Sequence, residues 1–156
     1  MSTNKKQSTP SPLDAHLGFW LRFVSNHVSS RFEQILEEKG VRVTEWVALR
    51  TLWSQDETTH ADLINALGMT KGAASKVMSR LEEKGLAERK LAEGRAREQS
   101  LCLTAAGKAL LPELAALADA NDTHFFGHLP AAERKMLTQA MQALVRHHQL
   151  KEIPTS

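Results

Sequence analysis

Between Thr70 and Arg97 the sequence sets cations among small side chains. Thr70, Lys71, Gly72, Ala73, Ser75, Lys76 and Arg80 come first, and Arg95 and Arg97 follow. Small side chains let a backbone approach a surface closely. Lys and Arg then supply donors for phosphate oxygens and guanine edges. From Lys71 to Arg97 there are eight basic residues against four acidic ones, on a chain of formal net charge +2, so the remainder is slightly acidic. A basic segment on an otherwise acidic protein fits a localised contact with phosphates. On charge alone, a solvated helix face of mixed sign is an equal alternative.

Other reactive groups are sparser. His124 and His128 are spaced i, i+4, which on one helix face would offer two imidazoles to a metal. Third and fourth ligands are not evident, and Leu129-Pro130 marks a helix end beside His128. His147 and His148 are neighbours, so a helix points them different ways. Cys102 is the single cysteine, which excludes an intramolecular disulfide and a multi-cysteine zinc site. It alternates with Leu101 and Leu103 and reads as a structural thiol, with activation by nearby arginines as the alternative. Trp20, Phe23 and His27, with Trp46, are candidate walls of an effector cleft, suited to a small aromatic or carboxylate ligand. Dimer or domain core is the competing reading. No Gly-rich phosphate loop, nucleophile–base motif or metal cluster supports catalysis. No enzyme activity, catalytic residue, metal site or cofactor is expected.

Composition sets the frame. Hydrophobic residues make up 42% and charged residues 24% of 156 residues, enough for one good core. No apolar run approaches the ~18–20 residues of a membrane span. The N-terminal MSTNKKQSTPSP lacks the apolar stretch of a signal peptide, so a cytoplasmic location and no membrane partner are expected. Residues 1–12 read as a disordered arm.

The elements that would position the basic segment follow from periodicity. Leu17, Leu21, Val24, Val28, Phe32 and Ile35 fall at helical spacing between Leu13 and Lys39, with Gly40 as the stop. One helix of that span is ~40 Å long, more than a small domain covers. Thr44 is expected to cap a second helix carrying Trp46, Val47, Leu49, Leu52 and Trp53. Thr59-His-Ala-Asp62 opens a short third helix that Gly68 ends. Thr70 caps a fourth, with Ala74, Val77, Met78 and Leu81 inward and Gly85 at its end. Two short helices across a tight Gly-containing turn form a helix-turn-helix pattern. The period then changes: 86–91 and 98–103 read as strands around a hairpin tip at 92–97, which makes a wing whose two arginines suit a narrow minor groove. Thr104 caps a long helix to about Gly127 with Pro112 inside it, where a local kink is expected. A last helix carries Met136, Leu137, Ala140, Met141, Leu144 and Val145 on one side.

This order resembles the MarR family of bacterial and archaeal regulators over roughly residues 13–148. The resemblance rests on Val43-Thr44-Glu45-Trp46, on 62–69 (DLINALGM), on 75–86 (SKVMSRLEEKGL) and above all on Leu103-Thr104-Ala105-Ala106-Gly107-Lys108 straight after the wing. It implies a mainly α fold with a small β-hairpin wing, a winged helix-turn-helix at about 41–103. Dimerisation helices would lie at about 13–39 and 104–149, within a single domain 13–156. It also implies a homodimeric regulator of a palindromic operator on double-stranded DNA, acting as a repressor relieved by a small-molecule effector. The two recognition helices would lie ~34 Å apart. Alternatives are a winged-helix module for protein contact and a metal- or redox-responsive regulator. One departure stands out. The family's wing usually carries Asp-x-Arg, and this chain has Arg95-Ala96-Arg97, so another carboxylate must orient Arg97. Glu93 across the tip is preferred to Glu98, because strand neighbours point to opposite faces.

Overall fold

The computed structural model describes residues 8–55, 57–91 and 99–151. A short 3-10 turn, Leu13–Ala15, precedes α1 (Leu17–Glu38) and α2 (Val43–Trp53). Next come β1 (Thr58–Thr59), α3 (His60–Leu67), α4 (Lys71–Glu83), β2 (Ala87–Leu91) and β3 (Gln99–Leu103). The helices α5 (Ala105–Phe126) and α6 (Ala131–His147) complete the order. The result is a mainly helical chain with one small antiparallel sheet.

Two helix starts differ from the sequence expectation. The first helix does not begin at Leu13, because His16 is extended (φ −92°, ψ 124°) and separates the 3-10 turn from α1. The indole of Trp20 donates to the Asp14 carbonyl at 2.8 Å and folds that turn back over the helix start. The remaining 22 residues of α1 give about 33 Å. The cap of α2 is Arg42, not Thr44. Starting two residues earlier puts Glu45 at the third helical residue, where its carboxylate accepts the Arg42 N–H at 3.1 Å and satisfies an orphan helix donor.

The other caps follow the sequence. Thr59 accepts from Asp62 N, Thr70 from Ala73 N and Thr104 from Gly107 N. Gly68 and Gly85 end α3 and α4 with φ of 61° and 69°, a backbone region open to glycine at little cost. The α5 helix runs on through Pro112, which has no N–H for the carbonyl four residues back.

One core joins these elements. Leu49 and Leu52 of α2, Leu63 and Leu67 of α3, and Ala74, Val77, Met78 and Leu81 of α4 are buried together with Leu101 of β3 and Leu111 and Leu114 of α5. Truncating one of the fully buried leucines, Leu81→Ala for example, would cost ~2–5 kcal/mol. The sheet has strand order β1-β3-β2. The β1 strand pairs Thr58 with Leu101 and Thr59 with Ser100, and β2 pairs Ala87 with Leu103 through to Leu91 with Gln99. Sequence periodicity missed β1, since two residues carry no alternation.

The Leu103–Lys108 segment ties the sheet to α5. Thr104 accepts from Gly107 N and donates its hydroxyl to the Gly85 carbonyl at 2.5 Å, while Thr104 N donates to the Leu86 carbonyl at 3.1 Å. A Cβ at Gly107 would overlap that same Leu86 carbonyl oxygen. The wing base therefore sits on the first turn of α5 with no room for a side chain.

Among the described residues, two surfaces lack cover. Every residue of α6 is exposed, including Met136, Leu137, Met141, Leu144 and Val145. The N-terminal half of α1 exposes Leu17, Trp20, Leu21, Phe23 and Val24. Among the described residues, no helix is long and apolar enough to cross a membrane.

Candidate nucleic-acid interface

The α4 helix presents two faces. Ala74, Val77, Met78 and Leu81 are buried, while Thr70, Lys71, Gly72, Ala73 and Lys76 are exposed and Ser75, Ser79 and Arg80 are half-buried. The 3.6-residue period produces this split, since the inward set lies at i, i+3, i+4 and i+7. The outward set is the one the sequence selected, and the structure gathers Lys71, Ser75 and Lys76 on one side of one helix. Arg95, Arg97, Glu93 and Glu98 lie outside the described residues. Of the two strands that lead to them, β2 packs against α4.

Two residues that sequence reasoning passed over join this face. His60, the first residue of α3, sits with its Nε2 3.3 Å from the Ser75 hydroxyl. Burial, then the charges of Arg89 and Lys71, push the His60 imidazole below its ordinary pKa. Arg89 of β2 pairs with Glu82 through its Nε and reaches the Ser79 hydroxyl at 3.5 Å. A histidine following a threonine cap carries no spacing signal, and only the α3–α4 crossing brings it to Ser75.

The far end of α4 is anchored. Lys84, its C-cap, donates to the Gly40 carbonyl at 2.6 Å and to Glu45 at 2.6 Å. Glu45 is fully buried, and its Oε1 has no hydrogen-bond partner among the described residues.

The aromatic grouping divides in two. Phe19, Trp20, Phe23 and His27 form a ladder along exposed α1, with Phe23 and His27 centroids 4.9 Å apart. Trp46 instead packs edge-to-face on Phe32 at 5.8 Å and lies under the Arg50 guanidinium at 5.6 Å. Phe32 follows Trp20 by twelve residues on α1, about 18 Å along the axis. Nearby, Asn121 of α5 is buried, accepts from Arg31 at 2.7 Å and donates to the Val28 carbonyl at 3.2 Å, which clamps α1 to α5.

The remaining candidates separate cleanly. Cys102 is buried with its sulfur 3.8 Å from a carboxylate oxygen of Glu88, and burial pushes its thiol pKa up. His128 falls beyond the end of α5, so it shares no helix face with His124. Among the described residues, no three His, Cys, Asp or Glu side chains come together as a metal set. The rings of His147 and His148 meet edge-to-face at 4.8 Å on the exposed end of α6, rather than pointing apart.

Comparison with known proteins adds an independent line. The MarR family model matches residues 41–94, from the lead into α2 to the wing. The HTH-type transcriptional repressor Rv2887 of Mycobacterium tuberculosis is 27% identical over 131 residues, covering 84% of this chain and 94% of its own. The fold matches that of BpsR of Bordetella bronchiseptica, whose DNA binding is regulated by 6-hydroxynicotinic acid, with TM-score 0.75, 22% identity and coverage of 87% of this chain and 97% of that one. It also matches CouR of Rhodococcus jostii RHA1, solved bound to p-coumaroyl-CoA, with TM-score 0.74, 23% identity and coverage of 86% and 95%.

Proposed function

We propose that this chain is a winged-helix transcriptional regulator of the MarR type, a homodimeric repressor that reads a palindromic operator on duplex DNA and releases it on binding a small-molecule effector. The observation that carries the DNA-binding part is the outward face of α4. It is short-chained and cationic, borne on a helix whose opposite side is fixed in the core. Such a helix approaches a major-groove floor closely while Lys71 and Lys76 reach phosphates or guanine edges. Thr70, Lys71, Gly72, Ala73, Ser75, Lys76 and Arg80 make the groove contact, and of the wing arginines Arg97 enters the minor groove while Arg95 takes a phosphate.

The bare apolar surfaces of α6 and of the N-terminal half of α1 support the dimer, because contiguous exposed apolar faces of this size mark protein contacts. The first and last helices then form the dimerisation part and residues 41–103 the reading head. Support for an effector comes from the exposed α1 ladder of Trp20, Phe23 and His27, an aromatic surface with one polar group, and from the aromatic ligands named for BpsR and CouR. A small aromatic or carboxylate compound fits it. The Trp46 site, with Arg50 above it, is a second and separate aromatic place. A ligand acts on DNA affinity only by preferring one spacing of the two reading heads.

The test is a duplex-binding titration at several salt concentrations with wild type and Lys76→Ala. A phosphate contact predicts weaker binding on all sequences and a salt slope smaller by about one. A base contact predicts a loss of ~1–3 kcal/mol and relaxed preference at one position. Unchanged affinity and unchanged preference remove Lys76 from the interface. A wild type with no duplex affinity at any salt removes the DNA-binding reading.

A further inference from the structure

We propose that His60 is a proton-linked positioning residue of the DNA interface: its imidazole holds the Ser75 hydroxyl of α4, and it takes up a proton as a phosphate settles beside Lys71. The inference rests on the DNA-binding reading and deepens it.

The geometry comes first. In a helix-turn-helix the first helix crosses the phosphate backbone while the second enters the groove. His60 is the first residue of that first helix, half-buried, with Nε2 3.3 Å from the Ser75 hydroxyl. It thus joins the helix that crosses the backbone to a residue on the outward face of the helix that enters the groove. His60 is the one titratable side chain that spans the two among the described hydrogen bonds.

The charged surroundings decide its state. From α4, Lys71 acts on it, and from β2, Arg89, which is itself paired with Glu82 of α4. On α3 itself the nearest ionisable residue is Asp62, whose backbone N–H serves the Thr59 cap. The other elements against α3 are α2, β1 and β3. On α2, Glu45 is held by Lys84 and Arg50 lies over Trp46. On β3, Cys102 lies against Glu88, and β1 is two threonines. With cations as its acting neighbours and water partly excluded, the free protein keeps His60 neutral.

A DNA phosphate changes this balance. One negative charge brought beside Lys71 offsets the cations and favours the imidazolium. The proton comes from solvent and no covalent bond changes. The hydrogen bond then acquires a fixed direction. In the neutral ring with the proton on Nδ1, Nε2 accepts and the Ser75 hydrogen points inward. In the imidazolium both nitrogens donate, so Nε2–H points at the Ser75 oxygen and the hydroxyl hydrogen is released outward toward a phosphate oxygen or a base acceptor. Protonation and DNA contact therefore favour each other, and linkage makes the effect reciprocal.

The test uses the full-length protein and the duplex that the wild type selects from a random pool. Affinity is measured from pH 8 to pH 5.5 at constant salt for wild type and His60→Gln, whose amide keeps a hydrogen bond to Ser75. Wild-type affinity should rise on acidification more steeply than that of His60→Gln, by about tenfold for each pH unit by which the His60 midpoint rises on binding. The comparison subtracts the other six histidines. A ring-proton NMR titration should show the His60 midpoint higher in the complex than in the free protein, and Lys71→Ala should raise it in the free protein. Parallel pH profiles for wild type and His60→Gln, or a midpoint unmoved by DNA, overturn the proposal while the DNA-binding reading stands. A wild type that selects no duplex overturns both.

Discussion

Lys84 Nζ lies 2.6 Å from Glu45 Oε2 and binds the end of α4 to the start of α2. The carboxylate is fully buried, whereas the lysine side chain keeps 36% of its exposure. The pair is thus fed from solvent on one side only, and the backbone N–H of Arg42 supplies the second donor to the same oxygen. Removing one partner of a buried pair leaves the other uncompensated. Lys84→Ala is expected to lower stability by about 2–3 kcal/mol, at the low end for buried pairs because the lysine is part-solvated. Glu45→Gln should cost less, since an amide oxygen still accepts from Arg42 and Lys84. Urea denaturation measures both, and a Lys84→Ala midpoint equal to wild type would show that the pair holds nothing together.

Gly107→Ala tests the seat of the wing. Alanine is the better helix former by about 1 kcal/mol. Its methyl would meet the Leu86 carbonyl oxygen, a backbone atom that cannot rotate away. Overlap in a packed site costs ~1–3 kcal/mol, and here backbone must move, so net destabilisation is expected. The Thr104 links to Gly85 and Leu86 should loosen with it. Thermal unfolding that is unchanged or raised would contradict the close packing of α5 on the wing base.

Leu144→Glu tests the dimer. Leu144 is 45% exposed on a helix with no buried residue, so the substitution has little to disturb within one chain. Wild type should sediment at twice the 17.3 kDa chain mass. The variant should shift toward the monomer at micromolar concentration while keeping its helical circular dichroism. A wild type that runs as a folded monomer removes the dimer, and a variant that still dimerises moves the interface off this face of α6.

Cys102 should be a slow thiol. Burial raises its pKa first, the nearby Lys90 opposes this, and Glu88 and Glu57 add to the rise. The thiolate is the reactive form, so raising the pKa leaves less of it at neutral pH. Reaction with a thiol reagent at pH 7.5 should be far slower in the native protein than in urea. It should quicken as pH rises through the alkaline range. A native rate equal to the unfolded rate would restore the redox-responsive alternative.

The sequence by itself determined the identity and order of the helices, because their apolar residues repeat at a single period. Ala74, Val77, Met78 and Leu81 specify the buried side of α4 with no knowledge of what covers it. It determined three of the caps, since Thr59, Thr70 and Thr104 each act on a backbone N–H three residues away. These are local interactions, and local sequence contains both partners. Tertiary structure decided the rest. Arg42 takes the cap of α2 in place of Thr44, with the Glu45 carboxylate on its N–H, and Lys84, 39 residues away in sequence, compensates that buried carboxylate. The two residues of β1 form a strand only because β3 offers them an edge at Leu101 and Ser100. Trp46 left the Trp20 ladder because Phe32 and Arg50 receive it. His60 reached the outward face of α4 because α3 and α4 cross at Ser75, and a crossing of two helices is written in no single stretch of chain.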